Sequence, residues 1–448
     1  MQISHAATVL IFLSCTPLAQ AETTQERMAS CVRRYADAGL FSGVVLVSKG
    51  REKIYEQAFG LADREFNVPN SMQSRFHIAS LSKPITAVAV LRLVEQGKLN
   101  LEDHLSKFVA DFPSGDKITI EELLTHYSGL ADASADADFN EWSRFPQTTT
   151  ALVERAKKKP LQSEPGTHYF YSNSNYHILA FIIERLSGQN YGAFVENEIL
   201  KPAGMNNTAH HADAGAIISG LVHGYSPAGA TDFENAPYLD WTCKTGNGSL
   251  YSTAEDLLHF HRALQDRRLL KAQTLTDSYG FDRKDRNVGM FWFRRQRFGH
   301  RSIFVNGSSP GFKAHFERFI DDDAAVIVLS NLYLASPSMI AEDLGAILFD
   351  QPVTRQVPKP VKLSEKDLQK YGGSFRFGAD YFVKNAEVKV EPHRDYIAMV
   401  FPATGFTIPL SPIDGGRFFD RSFWSFVRFE KGKMIYTNGD TDYVATRQ

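Results

Sequence analysis

Apolar positions along this chain follow two periods, and the points where one gives way to the other outline the fold. Residues 24–38 carry the helical period. Two strand-like runs, at 43–48 and 53–59, flank the turn Lys49-Gly50-Arg51 and predict a β-hairpin. After Ser80 the helical period returns at Ile85, Val88, Ala89 and Leu91, and Gly97 stands where a C′ glycine ends a helix. Thr119-Ile-Glu-Glu122 has the form of a capping box. Residues 174–187 are amphipathic with Gly188 closing them, and Ser252-Thr-Ala-Glu255 opens another helix. Sheet character reappears at 289–294, 302–306, 313–320 and 324–330, with a turn at Asp321-Asp-Asp323, before a helix over 338–349.

This order predicts a discontinuous α/β (α+β) domain over 22–350. Strands from both ends of the segment share one sheet, the middle folds as a helical lobe, and the cleft between them is the place for a ligand. Three prolines within 351–360 read as part of a linker over 351–361. Residues 362–448 are rich in aromatics and short strands, with turn signals at Gly415-Gly416 and Asn438-Gly439, which predicts a small all-β barrel or sandwich.

Composition narrows the class. The 448 residues are 43% hydrophobic and 22% charged, with a formal net charge of -2, so the chain is globular and carries no nucleic-acid footprint. No internal apolar run approaches the roughly 18 residues of a membrane span. The first 21 residues differ: 6–18 are mostly apolar and Ala19-Gln20-Ala21 has the A-x-A form of a cleavage site. They predict a signal peptide and a mature chain that is exported, periplasmic or secreted. That chain keeps Cys31 and Cys243, either paired in an oxidising compartment or both free. No Cys/His cluster has zinc spacing.

Chemistry concentrates in Phe76-His-Ile-Ala-Ser80-Leu-Ser-Lys83. A serine in the first turn of a helix is met one turn later by a lysine on the same face. The hydroxyl is a poor nucleophile until a base lies within hydrogen-bond reach, and a lysine qualifies once burial lowers its pKa. Spacing alone is cheap, since Ser114-Gly-Asp-Lys117 repeats it in a turn that starts no apolar helix. Tyr171-Ser-Asn173, after the turn at Pro165-Gly166, offers a phenol as proton acceptor or shuttle and an amide to hold a lysine and a substrate carbonyl. The bland reading is a buried tyrosine beside a capping asparagine, and Tyr436-Thr-Asn438 repeats the spacing.

Ser-x-x-Lys followed by Tyr-Ser-Asn resembles the serine β-lactamase and penicillin-binding protein superfamily, in particular its branch of class C β-lactamases, D-aminopeptidases, DD-peptidases and β-lactamase-fold esterases. Further stretches similar to that branch are Leu123-Leu-Thr-His-Tyr-Ser-Gly-Leu130, Pro202-Ala-Gly-Met-Asn-Asn-Thr208, Gly248-Ser-Leu-Tyr-Ser-Thr-Ala-Glu-Asp-Leu257 and Pro310-Gly-Phe312. The resemblance implies an antiparallel sheet flanked by helices and an acyl-enzyme on Ser80. It gives Lys83 and Tyr171 the general-base work and Asn173 the orienting of Lys83 and substrate, and makes His126 structural. Counting back from Pro310, the family's third motif falls at Val305-Asn306-Gly307. Asn306, Gly307 and Ser308 then face the substrate, with the N–H groups of Ser80 and Ser308 as oxyanion hole. Val305 departs from the family's lysine or histidine and puts carboxylate-bearing substrates in question, unless His300, Arg301 or Lys313 compensates. An ester, amide or peptide hydrolase on a small-molecule or peptide substrate is implied, with no metal or organic cofactor. The rival is a penicillin-recognising or peptidoglycan-sensing binding protein with little turnover.

Overall fold

A computed structural model describes residues 22–229, 232–281, 288–403 and 406–448; the expected signal peptide at 1–21 lies outside them. Its organising element is a six-stranded antiparallel sheet in the order Phe293–Arg297, His300–Ser309, Phe312–Phe319, Ala324–Ser330, Gly43–Lys49, Glu52–Phe59. Gly43–Lys49 pairs with Ala324–Ser330 from Gly43 opposite Ser330 to Lys49 opposite Ala324, so the two ends of the segment close one sheet. Side chains on a strand alternate between faces, and here the alternation divides the core. Val44, Leu46, Ile327 and Leu329 join the cluster under the helical lobe. Val45, Val47, Val326 and Val328 join a second cluster under the Thr24–Asp37 and Pro337–Leu348 helices. Both faces are covered, which is why these runs are continuously apolar rather than alternating.

Helix ends follow their caps. Thr23 and Thr119 each complete a capping box, with Glu26 and Glu122 respectively. The helix expected to open at Ser252 is instead capped by Thr253, whose side chain accepts from Asp256 N–H, and runs Ala254–Gln265. Gly188 ends the Asn173–Ser187 helix at φ 70°, a left-handed conformation that glycine adopts without a Cβ penalty. The strand expected at 289–294 is Phe293–Arg297, because its arginines face carboxylates: Arg295 pairs with Glu317 at 2.6 Å and Arg297 with Glu342.

Residues 373–447 form a closed eight-stranded antiparallel barrel, the first strand pairing with the last through Phe375 and Arg447. Its own core holds Phe375, Val390, Met399, Leu410 and Phe418. Ile413, Phe419 and Trp424, however, belong to the core cluster of the main sheet, with Tyr35 and Ile340. Residues 351–361 are packed along this seam. Arg355 reaches Asp343 and Glu342, both at 3.1 Å, and Val361 N–H bonds Pro412 O. Arg421 donates to Gly39 O and Ser336 to Arg421 O. Cys31 and Cys243 lie in separate clusters and are both free. Burial pushes their thiols up, to about 11 and about 12.

A chain stopped after Phe349 loses all of these contacts. Each large apolar side chain at the seam contributes roughly 1.5–3 kcal/mol by burial, and its partners on the main sheet would face water. Such a truncation is expected to aggregate, or to melt well below the full chain, in size-exclusion and thermal-unfolding measurements. A monomer of unchanged melting temperature would show that the seam adds nothing to stability.

Candidate active site

The Ser80 segment is suspended between two structures. Phe76–His77 pairs with Leu250–Ser252, Ile78 N–H bonds Leu250 O, and Ser82 Oγ accepts from Leu250 N–H at 3.2 Å. Ser80 therefore sits in a 3₁₀ turn, Ala79–Leu81, just before the Ser82–Glu95 helix rather than inside its first turn. Ala79 is held at φ 48°, an unusual conformation for a residue with a Cβ and one that collects at functional sites.

Lys83 has no exposed surface. Its Nζ lies 2.9 Å from Ser80 Oγ, 2.6 Å from Tyr171 Oη, 2.8 Å from Asn173 Oδ1 and 3.1 Å from the Asn247 carbonyl. Ser80 Oγ and Tyr171 Oη are themselves 2.9 Å apart. Burial, and then the nearby charge of Lys244, pull the Lys83 ammonium well below the usual lysine range, while Asp132 works weakly the other way. Burial moves the Tyr171 phenol upward. Both shifts favour the uncharged forms, an amine beside a phenol. Such an amine keeps a lone pair to take the serine proton, which an ammonium lacks.

The surroundings hold these groups in place. Asp132 accepts from Asn173 Nδ2 at 2.9 Å, which leaves Oδ1 for Lys83. His126, the left-handed cap of the Ile120–Thr125 helix at φ 61°, stacks on Tyr171 with centroids 4.5 Å apart. Its Nδ1 accepts from Ser172 N–H and Asn175 Nδ2, and its carbonyl accepts from Phe170 N–H. The histidine thus fixes the loop on both sides of Tyr171.

The opposite wall is the end of the His300–Ser309 strand. Phe293–Arg297 pairs with this strand along residues 300–304 and not beyond them. Residues 305–309 have their strand partner on one side and the Ser80 turn on the other. A Cβ at Gly307 would lie 2.5 Å from Ile78 O, so only glycine permits this approach. Val305 is fully buried in the core with Ile303 and Phe316. Asn306 turns toward the cavity, its Oδ1 accepting from His315 Nδ1 at 2.6 Å and Ser338 Oγ at 3.1 Å. That leaves its Nδ2 donor to face a ligand.

A cavity of about 500 Å³ collects Ser80, Tyr171, Asn173, Asn306, Gly307 and Ser308 on one surface. Lys83 lies behind it. Of the cations considered for Val305, His300 is bound to Asp322 and Arg301 to Asp321 at the far end of the strand, whereas Lys313 lines the cavity. Lys244, Asn247 and Asp132 were not legible as partners, since a lone lysine or amide carries no local signal of its burial. The barrel's Ser422, Phe423 and Trp424 complete the rim. The decoys go elsewhere: Ser114–Lys117 forms a surface turn, and Tyr436 bonds Asp420 inside the barrel. Among the described residues, Asp63, Glu65 and His223 bring possible metal-ligand atoms within 4.8 Å of one another. None of the three lines this cavity, and Glu65 is already engaged by Tyr225 and Asn235.

A serine, a buried lysine and a tyrosine in mutual contact under a sheet edge, with helices on both faces, define the β-lactamase fold class and its serine-hydrolase chemistry. The Beta-lactamase family model matches residues 22–362, and the chain belongs to that family. It is 28% identical over 433 residues to penicillin-binding protein 4* of Bacillus subtilis, spanning 90% of this chain and 94% of that one. Two solved structures share the fold. The octameric penicillin-binding protein homologue from Pyrococcus abyssi superimposes with TM-score 0.65 at 21% identity, covering 94% of this chain and 99% of that one. A D-stereospecific amidohydrolase from Streptomyces sp. does so with TM-score 0.63 at 22% identity, covering 72% and 98%.

Two substitutions test this geometry. Lys244→Met removes the charge that holds Lys83 down, so the acid limb of the kcat/KM–pH profile should move to higher pH; an unmoved limb would remove Lys244 from the tuning of the base. Val305→Lys places an ammonium in the core and should lower stability by on the order of 3–5 kcal/mol, read as a reduced denaturant midpoint. An unchanged midpoint with faster turnover of a carboxylate substrate would show that the side chain reaches the cavity after all.

Proposed function

We propose that this chain is an exported serine hydrolase that opens an ester, amide or peptide bond through an acyl-enzyme on Ser80. The observation that carries the reading is the fully buried Lys83 amine within hydrogen-bond distance of Ser80, Tyr171 and Asn173. In the first step Ser80 Oγ bonds to the substrate carbonyl carbon and its proton passes to Lys83 Nζ. The carbonyl oxygen, now anionic, is taken by the N–H groups of Ser80 and Ser308. Tyr171, in contact with both Oγ and Nζ, relays the proton to the departing nitrogen or oxygen as the substrate's bond breaks, leaving the acyl-serine. Water repeats the sequence in reverse and releases the acid.

The named relatives supply the range of bonds: penicillin-binding proteins on one side, a D-stereospecific amidohydrolase on the other. Export is supported by the A-x-A pattern at residues 19–21. The relatives' names also favour a second reading, a penicillin-binding protein that acylates without appreciable turnover.

Hydrolysis of a short-chain p-nitrophenyl ester and labelling by a fluorescent penicillin test both readings together. Ser80→Ala should remove ester turnover and covalent labelling, by roughly four orders of magnitude or more for turnover, while Ser114→Ala should leave both unchanged. Full activity in Ser80→Ala would falsify the mechanism. Labelling without ester turnover in the native chain would select the binding protein.

A further inference from the structure

A second cavity, of about 570 Å³, adjoins the catalytic one and shares Ser308, Lys313, Ser422 and Phe423 with it. Its walls come from three places. The hairpin formed by Tyr225–Pro227 and Phe233–Asn235 supplies one side and the barrel supplies another through Tyr396, Phe406, Ile408 and Phe423. Tyr333 and Leu334, just after the Ala324–Ser330 strand, supply the floor. The Beta-lactamase match ends at residue 362, so the barrel wall is made by chain beyond it.

Lys313 stands at the junction, directly across the strand pair from Ser308. Its Nζ lies over the Tyr333 ring, 5.2 Å from the centroid. Among the described residues it makes no hydrogen bond or ion pair. Its nearest acid by charge interaction, Asp420, is occupied by Tyr436 Oη at 2.9 Å and by the N–H groups of Ser422 and Phe423. Among the described residues the catalytic cavity is lined by no carboxylate, and the second by Glu234 alone, an exposed residue. A half-buried ammonium against an aromatic face, with its one interacting carboxylate engaged elsewhere and not in contact with it, is a costly arrangement that an arriving anion relieves.

We propose that this second compartment is the distal arm of the substrate site. It takes an aromatic or branched apolar portion of the substrate, and Lys313 binds a carboxylate carried on that portion. The inference rests on the hydrolase reading for the identity of the ligand as substrate. It restores through the neighbouring strand the positive charge that Val305 does not provide. It also gives the barrel a part in selecting substrate: Phe423 and Ser422 face both compartments.

Binding of 3-phenylpropanoate and of its neutral amide to the Ser80→Ala chain, measured by titration calorimetry, tests the compartment without any turnover. The carboxylate should bind roughly ten- to a hundredfold more tightly than the amide, the range for a hydrogen bond to a charged group. Lys313→Met should erase that preference, and Lys313→Arg should restore part of it. Tyr396→Ala should weaken both ligands alike, since it removes wall and not charge. Melting curves of each variant confirm folding. Equal binding of the two ligands, or a preference that survives Lys313→Met, overturns the proposal. Carboxylate-selective binding to Ser80→Ala, alongside a native chain that turns over no ester, amide or peptide, would sink the hydrolase reading and leave the compartment standing.

Discussion

Lys83 is the group on which the rest of the site depends, because a lysine without exposed surface must be either neutralised or surrounded. Here it is surrounded by oxygens from three separate segments: Ser80 on its own turn, Tyr171 and Asn173 from the helical lobe, and the Asn247 carbonyl. Among the described residues no carboxylate touches it. Asp132 acts only from behind Asn173. A direct ion pair would hold the ammonium charged and unable to accept a proton, whereas neutral oxygens fix the nitrogen while burial and Lys244 keep its pKa low. The same contacts tie the Ser80 turn, the Tyr171 loop and the Asn247 loop to one nitrogen.

A second constraint acts from the other wall. The Ser80 turn can press against the sheet only because residue 307 has no side chain. Beyond residue 304 the strand gives up its neighbour on that side, and the unpaired edge lines the cavity beside Ser80. The turn itself is held by Leu250–Ser252 and by Ser82, and Ala79 takes its left-handed conformation between them. Strain at Ala79 and close approach at Gly307 are two sides of one contact.

Much of this was written locally in the chain. Periodicity located the strand runs at 43–48 and 324–330 because burial on both faces leaves them apolar up to their terminal serines, Ser48 and Ser330. The capping box at Thr119 located its helix, and the order Ser-x-x-Lys, Tyr-Ser-Asn, Val-Asn-Gly located the walls of the cavity. Elsewhere the signal was tertiary. Phe293–Arg297 carries three arginines in five residues and reads as surface until Glu317 and Glu342 are brought opposite. Ser80 falls outside the helix because a strand pair upstream, not helix propensity, sets its turn. The burial of Lys244 and the isolation of Lys313 have no local pattern, since each depends on what distant segments place around an ordinary lysine.

The seam between barrel and main domain shows why residues 351–361 do not behave as a spacer. Arg355 lies between Glu342 and Asp343 and within 5.7 Å of the Trp424 ring, tying the segment to a helix of one body and a turn of the other. Trp424, at φ 52°, meets Phe419 edge to face and lies against Tyr35, while the preceding Ser422 and Phe423 hang from the Asp420 carboxylate. The turn that anchors the barrel is therefore the turn that reaches the catalytic cavity. Asp420, buried with its pKa pushed up to about 6 by burial against the pull of Tyr436, the two N–H groups and Lys313, holds that turn. Its carboxyl is costliest to bury when ionised. Stability from this residue is thus greatest below the unfolded carboxylate range and declines as pH rises through about 6, while its three hydrogen bonds keep the Phe423 rim in position above that point.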